Sequence, residues 1–155
     1  MQTTLVIVKP DGVQRRLAGR ILARFEEKGL QIVGAKLMTI PLATAQKHYK
    51  PHEGKPFYAG LVQYMTSSPV LVLALRGRNA IAVVRKMMGA TFGSKAEPGT
   101  IRGDYAISDG YNLVHGSDAE ESAAFELGLF FAPGEVQDYP MADTPWVYDT
   151  SSDLR

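Results

Sequence analysis

The spacing of apolar and polar positions predicts four strands with helices between them. Short runs of apolar and β-branched residues indicate strands, and apolar residues that recur every three or four positions indicate amphipathic helices. Glycine and proline mark most of the boundaries. The predicted strands are 3–8, 30–40, 70–75 and 111–115, and the predicted helices are 13–28, two short pieces within 42–65, a helix that ends at Met88 after an N-cap at Asn79, and 118–131.

The order of these elements indicates the fold class. Strand, helix, strand, insertion, strand, helix and strand follow one another, which is typical of a split βαβ arrangement. We therefore expect an α+β, ferredoxin-like fold: a four-stranded, mainly antiparallel sheet with helices packed on one face. No repeat, low-complexity tract or linker interrupts 1–155, which predicts a single domain. Within it, 90–110 is expected to be a long loop and 133–155 an irregular C-terminal segment.

The clearest helix start follows the last predicted strand. Ser117 and Glu120 have the Ser-x-x-Glu spacing of a capping box, and acidic residues fill the first turn. His115 is therefore expected where a strand ends and the chain turns, a position that displays a side chain to a ligand. An imidazole there can be a nucleophile, because much of it is neutral at physiological pH. A histidine that merely caps the turn is the alternative.

Composition narrows the class of protein. The chain has 155 residues, 45% of them hydrophobic, a net charge of +1 and no cysteine. These values are typical of a globular protein with a real core; they exclude disulfides and thiolate catalysis, and predict no general attraction to nucleic acids or membranes. No apolar run approaches the roughly 20 residues of a membrane span, and no leader precedes the first strand, so we expect a cytoplasmic location.

Two neighbouring motifs carry the most specific signal. Asn112-Leu113-Val114-His115-Gly116-Ser117-Asp118 follows the glycine-punctuated stretch Pro98-Gly99-Thr100-Ile101-Arg102-Gly103-Asp104. Together they closely resemble the nucleoside diphosphate kinase family, and the resemblance runs from Thr4 to about Tyr148. It implies transfer of the terminal phosphate of a nucleoside triphosphate, typically ATP, to a nucleoside diphosphate. The implied route is ping-pong, through a pros-phosphohistidine at His115, with broad base tolerance, and it maintains NTP and dNTP pools.

The resemblance also implies roles for residues outside the histidine motif. One group surrounds the histidine, and the other contacts the phosphates, ribose and base of the nucleotide. Taken alone, each of these residues has an ordinary alternative, such as a solvated surface cation, a core aromatic or a solvated helix glutamate. The catalytic matches are Lys9, Tyr49, His115, Ser117 and Glu126, and the nucleotide-binding matches are Lys9, Phe57, Arg85, Thr91, Arg102 and Asn112.

Elementary chemistry agrees with these implied roles. Phosphoryl transfer mainly needs in-line positioning and cations around the moving charge, which Lys9, Arg85 and Arg102 would supply. Base stacking needs only an aromatic face, so stacking on Phe57 would tolerate every base. A buried Glu126 would need a partner, and the imidazole is the natural one.

Metal ions and partners are implied less directly. The chain has no P-loop pattern, so we expect Mg²⁺ to arrive with the nucleotide, held mainly by phosphate oxygens. His48 and His52 have a spacing that could bind zinc on a helix, but Pro51 lies between them and no third ligand is evident. The family implies a homo-oligomer, with a hexamer favoured over a tetramer, and 133–155 is expected to contact a neighbour.

This sequence departs from the family pattern at two places, one in the nucleotide pocket and one in the loop after Thr91. Asp109 stands where an apolar residue commonly lies across the base from Phe57, which puts base preference in doubt. Phe92-Gly93 replaces the more usual Asn-Pro or Asp-Pro after Thr91, which alters a loop that often supports subunit contacts. Neither departure changes a catalytic group.

Other functions are open to the same sequence. A non-catalytic nucleic-acid-binding module would fit a four-stranded pattern with the basic pairs Arg15-Arg16 and Arg76 with Arg78. The aromatic strand motif of RNA-recognition folds is missing, however, and the net charge is near neutral. A further role as a protein-histidine kinase or regulatory partner is not decided by the sequence.

Overall fold

A four-stranded antiparallel sheet forms the centre of the protein. The computed structural model describes residues 1–149. The strands are β1 (Gln2–Val8), β2 (Gln31–Met38), β3 (Val70–Gly77) and β4 (Val114–Gly116). They lie in the order β2-β3-β1-β4, and each neighbouring pair is antiparallel. The predicted α+β, ferredoxin-like fold is therefore confirmed.

Helices and short turns connect and cover these strands. The helices within the described part are α1 (Pro10–Gln14), α2 (Ala18–Glu27), α3 (Leu42–His48), α4 (Tyr58–Thr66), α5 (Ala80–Met88), α6 (Ile101–Tyr105), α7 (Glu120–Phe130) and α8 (Thr144–Val147), and the 3-10 turns are Lys50–His52 and Gly93–Lys95. Over residues 1–149, no helix has the length and apolar character needed to cross a membrane.

Apolar side chains cover both faces of the sheet, so the expectation of one covered face is wrong. Val6 and Val8 lie in a core with residues of α2 and α5, whereas Leu5 and Ile7 lie in a second core with residues of α3, α4 and α7. The physical reason is visible in β1, where these four apolar residues are consecutive. Because alternate side chains point to opposite faces, an unbroken apolar run requires burial on both.

The first predicted helix is in fact two helices. The chain adopts a left-handed conformation at Arg16, with φ of 60°, and this residue separates α1 from α2. A left-handed residue cannot continue a right-handed helix, which explains the break. Pro10, which was expected only to end the strand, begins α1, because its fixed φ suits the first helical position.

Two predicted helix caps are not formed. Asn79 precedes α5 but has a positive φ of 51° and makes no side-chain cap. The Ser117–Glu120 capping box is also absent, because α7 begins only at Glu120, and the Oγ atom of Ser122 accepts the hydrogen bond from the N–H group of Ala119 at 2.9 Å. The Ser117 hydroxyl is buried instead beside the middle of α7.

The segment 90–110, expected to be a long loop, contains regular structure. It holds the second 3-10 turn and α6, whose first turn is capped where the Thr100 hydroxyl accepts a hydrogen bond from the N–H group of Gly103 at 3.0 Å. Ile101 anchors α6, since its side chain is fully buried in the core beside α5. Beyond 133 the described chain is irregular apart from α8, and the last part of the expected segment, 150–155, lies outside the described residues.

Candidate active site

A kink at Leu113 decides where the histidine strand begins. Leu113 is fully buried with a positive φ of 72°, which ends the extended chain and makes β4 begin at Val114 rather than at 111. Its N–H group donates to Oδ2 of Asp11 at 3.1 Å, and its carbonyl accepts from the N–H group of Lys9 at 2.8 Å. A non-glycine residue in this conformation costs roughly 1–3 kcal/mol and persists only where its surroundings hold it.

The end of β1 and the start of α1 supply those surroundings. The Tyr64 hydroxyl donates to Oδ1 of Asp11, so both oxygens of this carboxylate are bonded. Gly12 allows the close approach, because a Cβ atom there would lie 2.7 Å from Cγ1 of Val8 and 3.1 Å from the carbonyl oxygen of Leu113. Sequence reasoning missed these positions, since no spacing rule marks a leucine with positive φ.

His115 is held at one ring nitrogen and open at the other. It lies in the edge strand β4 opposite Ile7, and its side chain is 22% exposed. Nε2 lies 3.0 Å from Oε2 of Glu126, and the Ser117 hydroxyl donates to the same oxygen at 2.6 Å. No described residue bonds Nδ1. The histidine therefore has one nitrogen that is oriented by the protein and one without a hydrogen-bond partner among residues 1–149.

The charge on Glu126 determines the tautomer of this imidazole. Burial acts to raise the pKa of Glu126, but the hydrogen bonds from His115 and Ser117 hold it below its ordinary value. An ionised carboxylate can only accept hydrogen bonds, so Nε2 of the neutral imidazole carries the proton. Nδ1 then carries the lone pair, which is the electronic requirement for a nucleophile.

Two buried aromatic side chains stand behind the histidine. The ring of His48 packs edge-on against the ring of His115, with 4.7 Å between centroids, and Tyr49 packs edge-on against His48 at 4.4 Å. The Tyr49 hydroxyl is buried without a hydrogen-bond partner among residues 1–149, and burial raises the pKa of this phenol. Burial, and then the nearby charge of His115, lower the pKa of His48 to about 3, so its ring is neutral.

Three cations gather on the open side of the site. Burial and then the charge of Arg102 lower the pKa of Lys9 to about 8. Burial and then the charge of Arg85 lower the pKa of Arg102 to about 10. Lys9 and Arg102 are thus each destabilised by burial and by a like charge nearby, which is the electrostatic condition of a site that binds an anion.

Backbone carbonyls position Arg102. Its Nε, Nη1 and Nη2 atoms donate to the carbonyl oxygens of Asn112 at 3.3 Å, Gly89 at 3.0 Å and Val114 at 2.7 Å. Only 3% of the residue is exposed. A guanidinium has five N–H donors, so two remain for a ligand after these three bonds. Arg85 is exposed at the end of α5, and its Nη1 atom lies 3.4 Å from the carbonyl oxygen of Gly116.

Asn112 joins the first strand to the segment after α5. Its Oδ1 atom accepts from Nζ of Lys9 at 2.6 Å, across 103 positions of sequence, and its Nδ2 atom donates to the carbonyl oxygen of Thr91 at 2.8 Å. The Thr91 side chain is exposed. The predicted phosphate and ribose contacts Lys9, Thr91 and Asn112 are therefore connected to one another before any ligand binds.

Phe57 is available for stacking rather than part of the core. It precedes α4 and is 52% exposed, and its ring lies 5.4 Å from the ring of His52. Asp109, the departure that put base preference in doubt, is engaged elsewhere. Its Oδ1 atom accepts from the hydroxyl of Ser94 at 2.6 Å and from the N–H group of the same residue at 3.1 Å. This carboxylate thereby ties the altered turn after Thr91 to the chain before β4.

One cluster in the described part of the chain could hold a metal ion. His48, His115 and Glu126 offer ligand atoms that all lie within 4.8 Å of one another. The pair of histidines considered from the sequence is not this cluster, because His52 lies outside it. Two imidazoles and one carboxylate suit zinc rather than Mg²⁺, which prefers oxygen ligands. These side chains therefore do not have the donor composition of a typical Mg²⁺ site.

The basic pairs that suggested nucleic-acid binding are largely engaged. Arg76 forms an ion pair with Asp138 at 2.7 Å, and Arg15 donates to the carbonyl oxygen of Tyr105 at 2.7 Å. Arg15 and Arg76 therefore each have a partner within the protein.

A histidine with one free ring nitrogen beside clustered cations is the arrangement of a phosphotransferase, and comparisons with known proteins agree. The family model of nucleoside diphosphate kinase matches residues 2–136. The nucleoside diphosphate kinase of Staphylococcus epidermidis is 49% identical over 149 residues, which cover 96% of this chain and 100% of that protein. That of Roseiflexus castenholzii is 51% identical with the same coverage. The chain belongs to the nucleoside diphosphate kinase family, and its activity is the phosphoryl transfer of that family.

Solved structures show the same similarity in three dimensions. A nucleoside diphosphate kinase from Halobacterium salinarum in complex with CDP has a TM-score of 0.93 and 48% identity, covering 95% of this chain and 98% of that chain. A transition state mimic of the enzyme from Borrelia burgdorferi, with bound vanadate and ADP, has a TM-score of 0.87 and 38% identity, covering 92% and 94%. The similarity therefore extends over nearly the whole chain.

Proposed function

We propose that the chain transfers phosphate in two steps through Nδ1 of His115. The Nδ1 lone pair attacks the terminal phosphorus of a nucleoside triphosphate, and the bond from that phosphorus to the bridging oxygen breaks. A nucleoside diphosphate leaves with the electron pair, and the phosphate stays on the histidine. A terminal oxygen of a second diphosphate then attacks the same phosphorus and releases the histidine. The observation that carries this proposal is the bond between Nε2 and the ionised Glu126, which leaves Nδ1 free.

The supporting residues act on the imidazole and on the moving charge. Glu126, positioned by Ser117, stabilises the positive charge that develops on the ring as Nδ1 bonds to phosphorus. Lys9, Arg85 and Arg102 stabilise the negative charge on the phosphate oxygens. Because Lys9 and Arg102 are destabilised by burial and by neighbouring positive charge in the free site, binding an anionic substrate relieves that repulsion.

The remaining contacts hold the rest of the phosphate and the nucleoside. The unpartnered Tyr49 hydroxyl is a donor beside the histidine, and Thr91 adds an exposed hydroxyl for phosphate. Asn112 binds the ribose with Lys9, to which it is already bonded. The exposed ring of Phe57 stacks on the base without reading its edge. The similar structures carry CDP and ADP, a pyrimidine and a purine nucleotide, which supports broad base tolerance.

Four further properties belong to the same proposal. Mg²⁺ enters with the nucleotide, held by phosphate oxygens, since the clustered side chains of the site are of the wrong donor type. The active form is a homo-oligomer, with a hexamer favoured over a tetramer, which light scattering would test. Exposed apolar residues such as Ile107 and Trp146, 93% and 91% exposed, support such contacts. The single-domain organisation and the cytoplasmic location stay predictions, which limited proteolysis and cell fractionation would test.

The phosphohistidine step is tested by pulse and chase. The protein is incubated with ATP labelled at the γ-phosphate and then with unlabelled GDP. We expect an acid-labile label on the wild-type protein, its loss to GDP during the chase, and its absence from His115→Ala. His52→Ala is the matched control, because it removes another imidazole near the nucleotide pocket and should keep the label. Labelling of folded His115→Ala, or exchange without any labelled protein, would contradict the proposal.

A further inference from the structure

His48 is the polar side chain of the site whose environment is least explained by phosphoryl transfer. Its side chain is 1% exposed, and neither ring nitrogen has a hydrogen-bond partner among residues 1–149. Buried polar groups in folded proteins nearly always have a partner, so two orphaned nitrogens on one ring point to a ligand. A ring nitrogen of an imidazole that is not used in a hydrogen bond has a lone pair to offer to such a ligand.

The groups around His48 have the composition of a zinc site. Nδ1 of His48 lies 3.9 Å from Oε1 of Glu126, and Nε2 of His115 lies 3.0 Å from Oε2 of the same carboxylate. Donor atoms on a tetrahedral zinc ion with bonds of 2.0–2.1 Å lie about 3.3 Å apart. The ligand atoms of the three residues all lie within 4.8 Å of one another, so side-chain rotations that shorten the longer separations would bring the donors onto one ion.

We propose that His48, His115 and Glu126 bind Zn²⁺, and that zinc bound there prevents phosphorylation of His115. Three protein ligands with a fourth position left over match zinc sites that keep a bound water. The Ser117 hydroxyl, which donates to Glu126, orients the carboxylate ligand from outside the site. The chain has no cysteine, so no thiolate site competes for the ion.

The inhibition, which rests on the proposed function, follows from the two tautomers of one imidazole. In the free site Nε2 carries the proton and Nδ1 carries the lone pair. When Nε2 of His115 donates its lone pair to zinc, its proton leaves to water and Nδ1 takes up one proton in exchange, so the ring stays neutral. Nδ1 then has no lone pair with which to attack phosphorus. Phosphate on Nδ1 conversely keeps the proton on Nε2, so each modification excludes the other.

Metal binding is tested first, independently of activity. The full chain is dephosphorylated with a nucleoside diphosphate, freed of nucleotide, and titrated with cobalt(II), whose visible spectrum reports nitrogen ligation. Zinc is then added, and bound metal is quantified after dialysis. We expect one ion per chain and displacement of cobalt by zinc. The proposal would be overturned if no zinc stayed bound after dialysis, or if the cobalt spectrum were the same as that of the hydrated ion.

Variants assign the ligands. Loss of a group that only orients a metal ligand lowers metal affinity 10–100-fold. Loss of a ligand itself should cost more, so we expect His48→Phe to weaken zinc binding by at least about 100-fold. His52→Asn is the matched control and should bind zinc as the wild type does. Should His48→Phe fail to fold, the NMR signals of the imidazole ring protons of the three histidines in the wild-type protein give the same information. Zinc should shift those of His48 and His115 and not that of His52, and the reverse pattern would overturn the assignment.

Inhibition is tested on the same protein by the order of addition. Zinc added before γ-labelled ATP should prevent labelling, and a chelator should restore it. Protein that is phosphorylated first should bind at least about 10-fold less zinc at equal free metal concentration. Zinc binding with unimpaired labelling would overturn the inhibition, whereas a protein that binds zinc but is never labelled without it would refute the proposed function alone.

Discussion

The lowered pKa of Lys9 predicts that nucleotide affinity falls as pH rises through 8. Lys9 must be charged to bind a phosphate, but burial and then the charge of Arg102 hold its pKa at about 8 in the free protein. A bound phosphate favours the charged ammonium and raises this pKa, so binding takes up a proton. Above pH 8 the free site is largely neutral at this position, and affinity must decrease.

The magnitude follows from the fraction of Lys9 that is charged. With a pKa of about 8, roughly 76% of the free protein carries the charge at pH 7.5 and roughly 3% at pH 9.5. The dissociation constant for a nucleoside diphosphate should therefore rise by up to about 25-fold over this range, which corresponds to about 1.9 kcal/mol. The phosphate itself, with its second pKa near 6, is already fully ionised at the lower limit.

Calorimetry across this pH range is the assay. Titrations in two buffers of different ionisation heat give both the affinity and the number of protons taken up, which should approach one near pH 9. Lys9→Arg is the matched control, because a guanidinium stays charged throughout and should remove most of the pH dependence. A wild-type affinity that is flat from pH 7.5 to 9.5, or an equal fall in Lys9→Arg, would refute the reasoning.

The remaining predictions concern stacking, the kink and the carboxylate. Phe57→Ala should weaken the binding of purine and pyrimidine nucleotides alike by about 1–3 kcal/mol, as measured by equilibrium titration. The free energy of unfolding in urea should change by less than about 0.5 kcal/mol, because the ring is half-exposed. Gly12→Ala should lower the free energy of unfolding by about 1–3 kcal/mol, since its Cβ would lie 2.7 Å from Val8; Gly19→Ala, with open space around it, should not. Glu126→Gln should slow labelling by roughly 10²–10⁴-fold in rapid-quench measurements, because an amide can also stabilise the wrong tautomer; an unchanged rate would contradict the role of the carboxylate.

Local patterns in the sequence were sufficient for the order of the strands and for the fold class. Alternating and helical spacings depend on neighbours a few positions apart, so they identified the strands and the fold class. The His115 motif and the arginine of α6 lie within one short stretch, so they were visible together. Glu126 could be paired with the histidine in advance, since a buried carboxylate in an apolar helix requires a partner.

Only the tertiary structure decided which distant residues meet. The sheet brings Lys9 to Asn112, and packing of α3 against α7 brings His48 to Glu126. The left-handed Leu113 depends on partners about 100 positions away, so no local rule could predict it. The failed Ser117 cap has the same origin, because a buried carboxylate binds the hydroxyl that the helix start would otherwise have used. Contacts of this kind depend on how the elements pack, and spacing along the chain does not contain that information.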